Sequence, residues 1–356
     1  MIREVAWNDT PSQYDEFIQH CAATTASQLS EDDLVSLSFH ANPHVPWSNA
    51  AHSRVALDCL ASVPSTDIAQ WIRPYLLAVS RPNKRVARLA QSGVNQEILQ
   101  EDSRRQWKAG AGVGSLGMIW PLVVRGEEYS IVIPFLLVLF DDYEQRIKLQ
   151  ACHILLEVLT NHRDLLMGGV VQELRQSVDV CLSYLPPSTP EAQAEQLLQV
   201  AWPCALLLAS TPIQRIELVG QVLSSISHLK HEWKFMSFFV EQLKLIVDQL
   251  QAAVLVSLSR ITFVLGQILI NPFVIDDYAD GFGLILTVLE CQKQIISIVA
   301  SQDDDAQAIL HQYRFDFSAM WTTLRQRLAK IHTPYKQAVD AKLDELHATG
   351  LWVPAS

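Results

Sequence analysis

Residues 131–158 read IVIPFLLVLFDDYEQRIKLQACHILLEV. Two helical segments are written into this stretch, with an acidic turn between them. In the second, Ile147, Ala151, Ile154, Leu155 and Val158 stand at i, i+4, i+7, i+8 and i+11, the spacing that gathers side chains on one helix face. Glu144, Arg146, Lys148, Gln150 and Glu157 fall elsewhere and predict a solvated side. The first segment, Ile131 to Phe140, is apolar almost throughout but too short to cross a bilayer, which takes about 20 residues. It therefore reads as a helix packed among neighbours. Pro134 bends it, because proline lacks an N–H and its ring crowds the preceding turn. Asp141 and Asp142 occupy the turn, where a carboxylate accepts from backbone donors ahead of the next helix.

The same grammar extends outward. Leu174, Val178, Cys181, Leu182 and Leu185 repeat the helical spacing up to Pro186-Pro187, which stops it. Thr189-Pro190-Glu191 then reads as N-cap, first helical residue and first-turn acid, and Thr211-Pro212 and Thr333-Pro334 repeat the start. Alternating apolar and polar runs are scarce, and Asp280-Gly281 is the sole hairpin-turn pair. Short gaps between helices make neighbours antiparallel. The expectation is an all-α chain, an α-solenoid of antiparallel helical hairpins like the HEAT and armadillo repeats, forming one domain over residues 1–356. Ile133 to Asp142 resembles the first helix of a HEAT repeat, and Ile147-Lys148, Ala151, Leu155 and Leu156 fall on its second helix. Pro134, Asp142, Lys148 and Ala151 are thus the repeat motif, with Asp142 and Lys148 read as a packing pair. The best copy spans 131–159. A weaker one spans 68–94, with Pro74, Val86, Arg88 and Leu89, and C-terminal helices are expected over about 306–349.

Composition narrows the class. Apolar residues make up 49% and charged ones 18%, which excludes wholesale disorder. The formal charge of −11 repels phosphate backbones, so no nucleic-acid partner is expected. The basic clusters Lys84, Arg85, Arg88 and Arg104, Arg105, Lys108 read as solvated helix faces. Cys21, Cys59, Cys152, Cys181, Cys204 and Cys291 lack the paired spacing of a zinc site and read as buried thiols of a reducing compartment, cytoplasm or nucleus. The N-terminal residues contain no apolar core of a signal peptide. Ala252 to Ile275 has the length of a membrane span, but Arg260 near its middle and Pro272 favour a helix buried on most sides of a soluble core.

Chemical motifs are few. Gly112-Val113-Gly114-Ser115-Leu116-Gly117 satisfies the dinucleotide expression, yet charged residues precede it where a strand is required, so it reads as a flexible loop between helices. His40 and His44 flank Pro43, which breaks the helix that would align them. His228 and His231 have no cysteine nearby and read as solvated at a helix end. Cys152 and His153 point about 100° apart on a helix and cannot act on one another. Asp141-Asp142 and Asp276-Asp277 read as turn caps. No catalytic, cofactor-binding or metal-ligating residue is assigned, and no enzyme is expected. A solenoid this rich in apolar residues calls for a covering partner, and Tyr313, Phe315, Phe317 and Trp321 are the candidate anchors.

Several of these stretches together resemble the Tel-two-interacting protein two family. They are Asn95 to Gln100, Trp107-Lys108, Asp141-Asp142-Tyr143-Glu144 with Lys148, Asp164 to Gly169, and Leu182 to Glu191 leading into Leu197-Leu198 and Ala201. The likeness covers about residues 70–210 and extends more loosely to about 275 through Asn271-Pro272-Phe273. The resemblance implies a subunit of the Triple T complex, with Tel-two and Tel-two-interacting protein one as partners. That complex serves the heat-shock-ninety machinery in maturing phosphatidylinositol-kinase-related kinases. It implies no catalytic residues. The alternative is a generic helical-repeat adaptor in trafficking or nuclear import.

Overall fold

Trp47, Phe39 and Phe135 are fully buried in one part of the chain, and Trp202, Phe239, Phe282 and Trp321 in others. The computed structural model describes residues 2–75, 107–108, 111–166, 168–277 and 279–351, and these hold helices and turns with no strand. They divide into two compact units, Met1–Tyr184 with Gln196–Cys204, and Leu185–Glu195 with Ala205–Ser356.

In the first unit, α1 (Asp15–Ala23), α2 (Glu31–Ser38), α3 (Ala50–Leu60) and α4 (Ser65–Ile72) precede α5 (Ser115–Met118), α6 (Trp120–Arg125), α7 (Tyr129–Phe140), α8 (Gln145–Asn161) and α9 (Gly168–Cys181). Local chemistry starts them. Ser30 and Asp33 form a capping box on α2, and the Asn49 side chain accepts from the Ala51 and His52 amides of α3. The segment read first is a pair of helices, α7 and α8, joined by residues 141–144 and packed on one another. Helix α8 also packs on α6 and α9 on α7. This cover widens the buried face of α8 beyond the expected stripe. Lys148 and Gln150, assigned to the solvated side, are buried. The Lys148 ammonium donates to the Phe140 carbonyl at the end of α7, and Gln150 Nε2 donates to the His44 carbonyl at 2.8 Å.

The turn of the repeat motif is electrostatically closed from elsewhere. Asp142 does not pair with Lys148. Its Oδ1 accepts from the Glu144 amide at 2.8 Å, as a turn carboxylate should, and from Lys108 Nζ at 2.8 Å. Lys108 also bonds Glu144 Oε1 at 2.8 Å and stands 4.3 Å from the Tyr143 ring centre. Glu144 in turn holds Arg146 Nε at 2.6 Å. Lys108 is therefore a buried ion-pair partner and not a solvated residue. Burial works against its charge, but the two carboxylates win and raise its pKa, while Lys108 and Arg146 hold Glu144 low against the same opposing burial. The basic residues 84, 85, 88, 104 and 105, and most of the weaker repeat copy at 68–94, lie outside the described residues.

The glycine motif is not a loop. Residues 111–114 form a 3-10 turn that runs into α5, and Ser115 to Met118 are buried. Its glycines permit backbone contact. A Cβ on Gly117 would lie 1.9 Å from the Phe39 carbonyl oxygen, and one on Gly114 2.7 Å from the Phe39 ring. The glycine spacing serves close packing of α5 on α2 rather than phosphate binding.

The second unit takes the two ends of α10 (Glu191–Leu208), whose middle belongs to the first. It continues with α11 (Pro212–His228), α12 (Trp233–Leu250), a 3-10 segment Gln251–Ser257, α13 (Leu258–Ile270), α14 (Asp280–Ala300), α15 (Asp304–Gln312), α16 (Arg314–Leu328) and α17 (Pro334–His347). Thr211 and Thr333 cap α11 and α17 through their side chains, as read. Helix α10 starts one residue later than read, with Pro190 as its N-cap, and α9 stops at Cys181, ahead of the two prolines. The long apolar stretch beginning at Ala252 is not one helix, because the 3-10 segment precedes α13, and Arg260 reaches Ser224 Oγ at 2.9 Å on the exposed side. Trp233–Ile270 and Asp280–Ala300 have the length and composition of membrane spans. Here α12 and α14 form a closely packed pair, with about half of each stretch buried inside the unit. All six cysteines are free and buried, and burial lifts the Cys21 thiol to about 11 and Cys291 to about 12.

Three outcomes follow from this packing. Lys108→Met, which strands Asp142 and Glu144, is expected to lower unfolding free energy by about 3 kcal/mol, whereas Arg146→Met at the exposed end costs under about 1 kcal/mol. Equal costs in urea titrations would contradict the buried-pair account. Gly117→Ala is expected to cost more than about 2 kcal/mol, because the opposing atom is backbone and cannot rotate away. Third, burial and the neighbouring His52 push His40 down to about 4. The unfolded chain then binds the extra proton, so stability is full above pH ~6.5 and falls as pH drops toward 4. Between pH 6.5 and 5 the loss from His40 is about 2 kcal/mol. His40→Asn, which keeps a donor for the Trp47 carbonyl, should flatten that slope, and an unchanged slope would remove His40 from the account.

Candidate partner-docking site

Two of the four candidate anchors belong to the core. Helix α16 places Phe317, Trp321, Leu324 and Leu328 at i, i+4, i+7 and i+11, and all four are buried, with Phe317 1% and Trp321 0% exposed. The Trp321 indole donates to Gln292 Oε1 at 2.8 Å, and Gln292 Nε2 reaches Met320 Sδ at 3.0 Å, so α14 and α16 share a closed polar contact inside the apolar core. That stripe was present in the sequence and separates Phe317 and Trp321 from Phe315, which lies off it. Phe315 is 59% exposed and Tyr313 is half-buried at the junction of α15 and α16. Of the repeat residues, Asp142, Lys148 and Ala151 are buried in the first unit, and Pro134 is exposed on α7.

Phe315 has exposed apolar companions on neighbouring elements. Helix α13 packs against α16 and carries Phe263, 65% exposed. The 3-10 segment, which touches α13 and α15, exposes Val256, and α15 exposes Ile309. Exposed Phe, Val and Ile thus sit on elements that contact one another. The Arg314 guanidinium covers one side of the Phe315 ring at 4.6 Å and its Nη1 lies 2.7 Å from His311 Nδ1. Beside it a shallow depression of about 500 Å³ is lined by Asp304, Gln307, Ala308, His311, Gln312 and Arg314. Asp303 fixes that end of α15 by accepting from the Ala306 amide at 2.9 Å. The Phe315 ring thus lies beside a polar, charged rim.

A second concavity lies at the start of α12 and α14. It is an open cleft of about 600 Å³ lined by His231, Trp233, Phe273, Asp276, Asp277 and Ala279. His228 ends α11, and His231 follows in the linker. Glu232 Oε2 accepts from the amides of Lys230 at 2.8 Å and His231 at 3.1 Å. Burial opposes its charge, but these amides keep its carboxyl below the usual range. Asp277 caps α14 by accepting from the Ala279 and Asp280 amides at 3.0 Å, so Asp280-Gly281 opens a helix and not a hairpin.

No group of three or more His, Cys, Asp or Glu able to hold a metal occurs among the described residues. His40 is buried, with Nδ1 3.3 Å from the Trp47 carbonyl, and His44 stacks on His153 at 3.9 Å between ring centres. Both histidines serve packing, and burial pushes His153 down to about 4, with the His44 ring adding to it. No catalytic constellation emerges among the described residues.

No curated protein and no solved structure matches the chain. The model described as the Tti2 family matches residues 34–276, from α2 through the turn that carries Phe273. That is well over half of the 356 residues, and the chain belongs to the Tti2 family.

Proposed function

We propose that the chain is a non-catalytic scaffold subunit of the Triple T complex. Its partners in this reading are Tel-two-interacting protein one and Tel-two. Through them it serves heat-shock-ninety-dependent maturation and stability of phosphatidylinositol-kinase-related kinases, in the cytoplasm and the nucleus. The observation that carries the reading is membership of the Tti2 family over residues 34–276. The helical content supports it, since stacked helices present long surfaces to partners. The exposed rings support it as well. Phe263 and Phe315 are the aromatic anchors we assign to the partner contact, with Tyr313 beside them, because large rings half in water contribute most when a partner removes them from it.

Affinity purification of the tagged chain at moderate salt, with quantitative mass spectrometry, tests this. Both Tel-two proteins should appear in near-equal amounts with the bait. Phe263→Asp with Phe315→Asp should reduce their recovery about tenfold or more, while the urea midpoint stays within error, because both rings are already solvated. Recovery of unrelated transport factors in place of the Tel-two proteins would favour the generic adaptor. Normal recovery by the double variant would remove the assigned anchors.

A further inference from the structure

Three sequence features converge on the cleft of the second unit: His231, the Asn271-Pro272-Phe273 turn and the paired acids Asp276-Asp277. Each wall is held before any ligand arrives. Glu232 ties the linker that presents His231, as described. Asn271 Oδ1 accepts from the Phe273 amide at 3.0 Å and sets the 3-10 turn that carries the ring. Gly281 lets that turn lie against α14, because a Cβ there would stand 1.9 Å from the Val274 carbonyl oxygen. The His231 ring stands nearly perpendicular to Trp233, at 5.5 Å and 85°, and to Phe273, at 6.0 Å and 86°. Phe273 is 59% exposed.

The charges are one-sided. Neither Asp276 nor Asp277 makes an ion pair among the described residues, and Lys234, which follows Trp233 in α12, is engaged by Glu195 at 2.9 Å. Asp277 is committed to capping α14, which leaves Asp276 as the free carboxylate at the lip. Aromatic faces attract cations through their quadrupole, and an adjacent carboxylate adds direct charge and hydrogen bonding. An anion would meet two carboxylates here, and a purely apolar group would leave them unpaired.

We infer that this cleft receives an arginine side chain from a partner protein, its guanidinium stacked on the exposed Phe273 ring beside the largely buried Trp233 and hydrogen-bonded to Asp276. Arginine fits better than lysine because its planar fork stacks on a ring and binds a carboxylate at the same time. The chain's net charge of −11 also favours a basic partner segment. The inference rests on the reading that the chain docks proteins, and names the chemistry of one contact.

The test titrates the ¹⁵N-labelled full chain with acetyl-Gly-Arg-Gly-amide, the citrulline analogue and the lysine analogue. The readout is the indole N–H of Trp233, assigned by its loss in Trp233→Phe. The expected result is a saturable shift with the arginine peptide and about tenfold weaker binding of citrulline, which has the same shape without charge. Asp276→Asn should abolish the arginine preference at an unchanged unfolding midpoint, because Asp276 caps nothing. Equal binding of arginine and citrulline, tighter binding of lysine, or no shift at millimolar peptide would each overturn the assignment. The titration needs no partner, so it can fail while the Tel-two proteins still co-purify, or succeed while they do not.

Discussion

An amphipathic helix is stable only where its apolar stripe is covered, and that requirement organises both units of this chain. Helix α8 shows it most clearly. Its stripe packs on α7 and α6, and the cover extends far enough to bury Lys148 and Gln150 as well. Their buried nitrogens then donate to backbone at a helix end or turn. Lys148 takes the last carbonyl of α7, and Gln150 takes the carbonyl of His44. The second unit meets the same demand with the Gln292–Trp321 contact between α14 and α16. Glycine meets it in another way, by letting α5 approach the backbone beyond α2 without a Cβ in between.

What this packing leaves uncovered carries the functional argument. Phe263, Phe315, Val256 and Ile309 lie on elements in mutual contact and remain exposed after the core is complete. Single exposed apolar residues are ordinary on protein surfaces, and the proposed docking rests on two exposed rings carried by touching helices. The buried ionisable groups point elsewhere. Lys108, Asp142 and Glu144 close a turn, and the lowered histidines sit in packing contacts.

The all-helical character was legible because helical spacing and Thr-Pro starts are local signals, and both recur along the chain. The two helices of residues 131–158 were readable for that reason. The partner of Asp142 was not, since Lys108 lies 34 positions away and local spacing favoured Lys148. The glycine motif misled because glycine serves both flexibility and close approach, and only the position of Phe39 distinguishes them. Among the C-terminal aromatics the i, i+4, i+7 stripe was available and would have assigned Phe317 and Trp321 to the core. Phe263 carried no local mark, because its exposure depends on which side of α13 its neighbours cover. The cleft joins His231 to a turn and an acidic pair that begin 40 positions later, and it had no sequence signature of its own.

The central claim is that a protein partner covers the exposed rings of α13 and α16. Hydrogen–deuterium exchange of the full chain, alone and assembled with the Tel-two proteins, addresses it directly. The account expects slowed exchange in peptides spanning 255–265 and 311–318, with the first-unit helices α7 and α8 unchanged. Protection confined to other helices, with 255–265 and 311–318 exchanging as they do in the free chain, would contradict it.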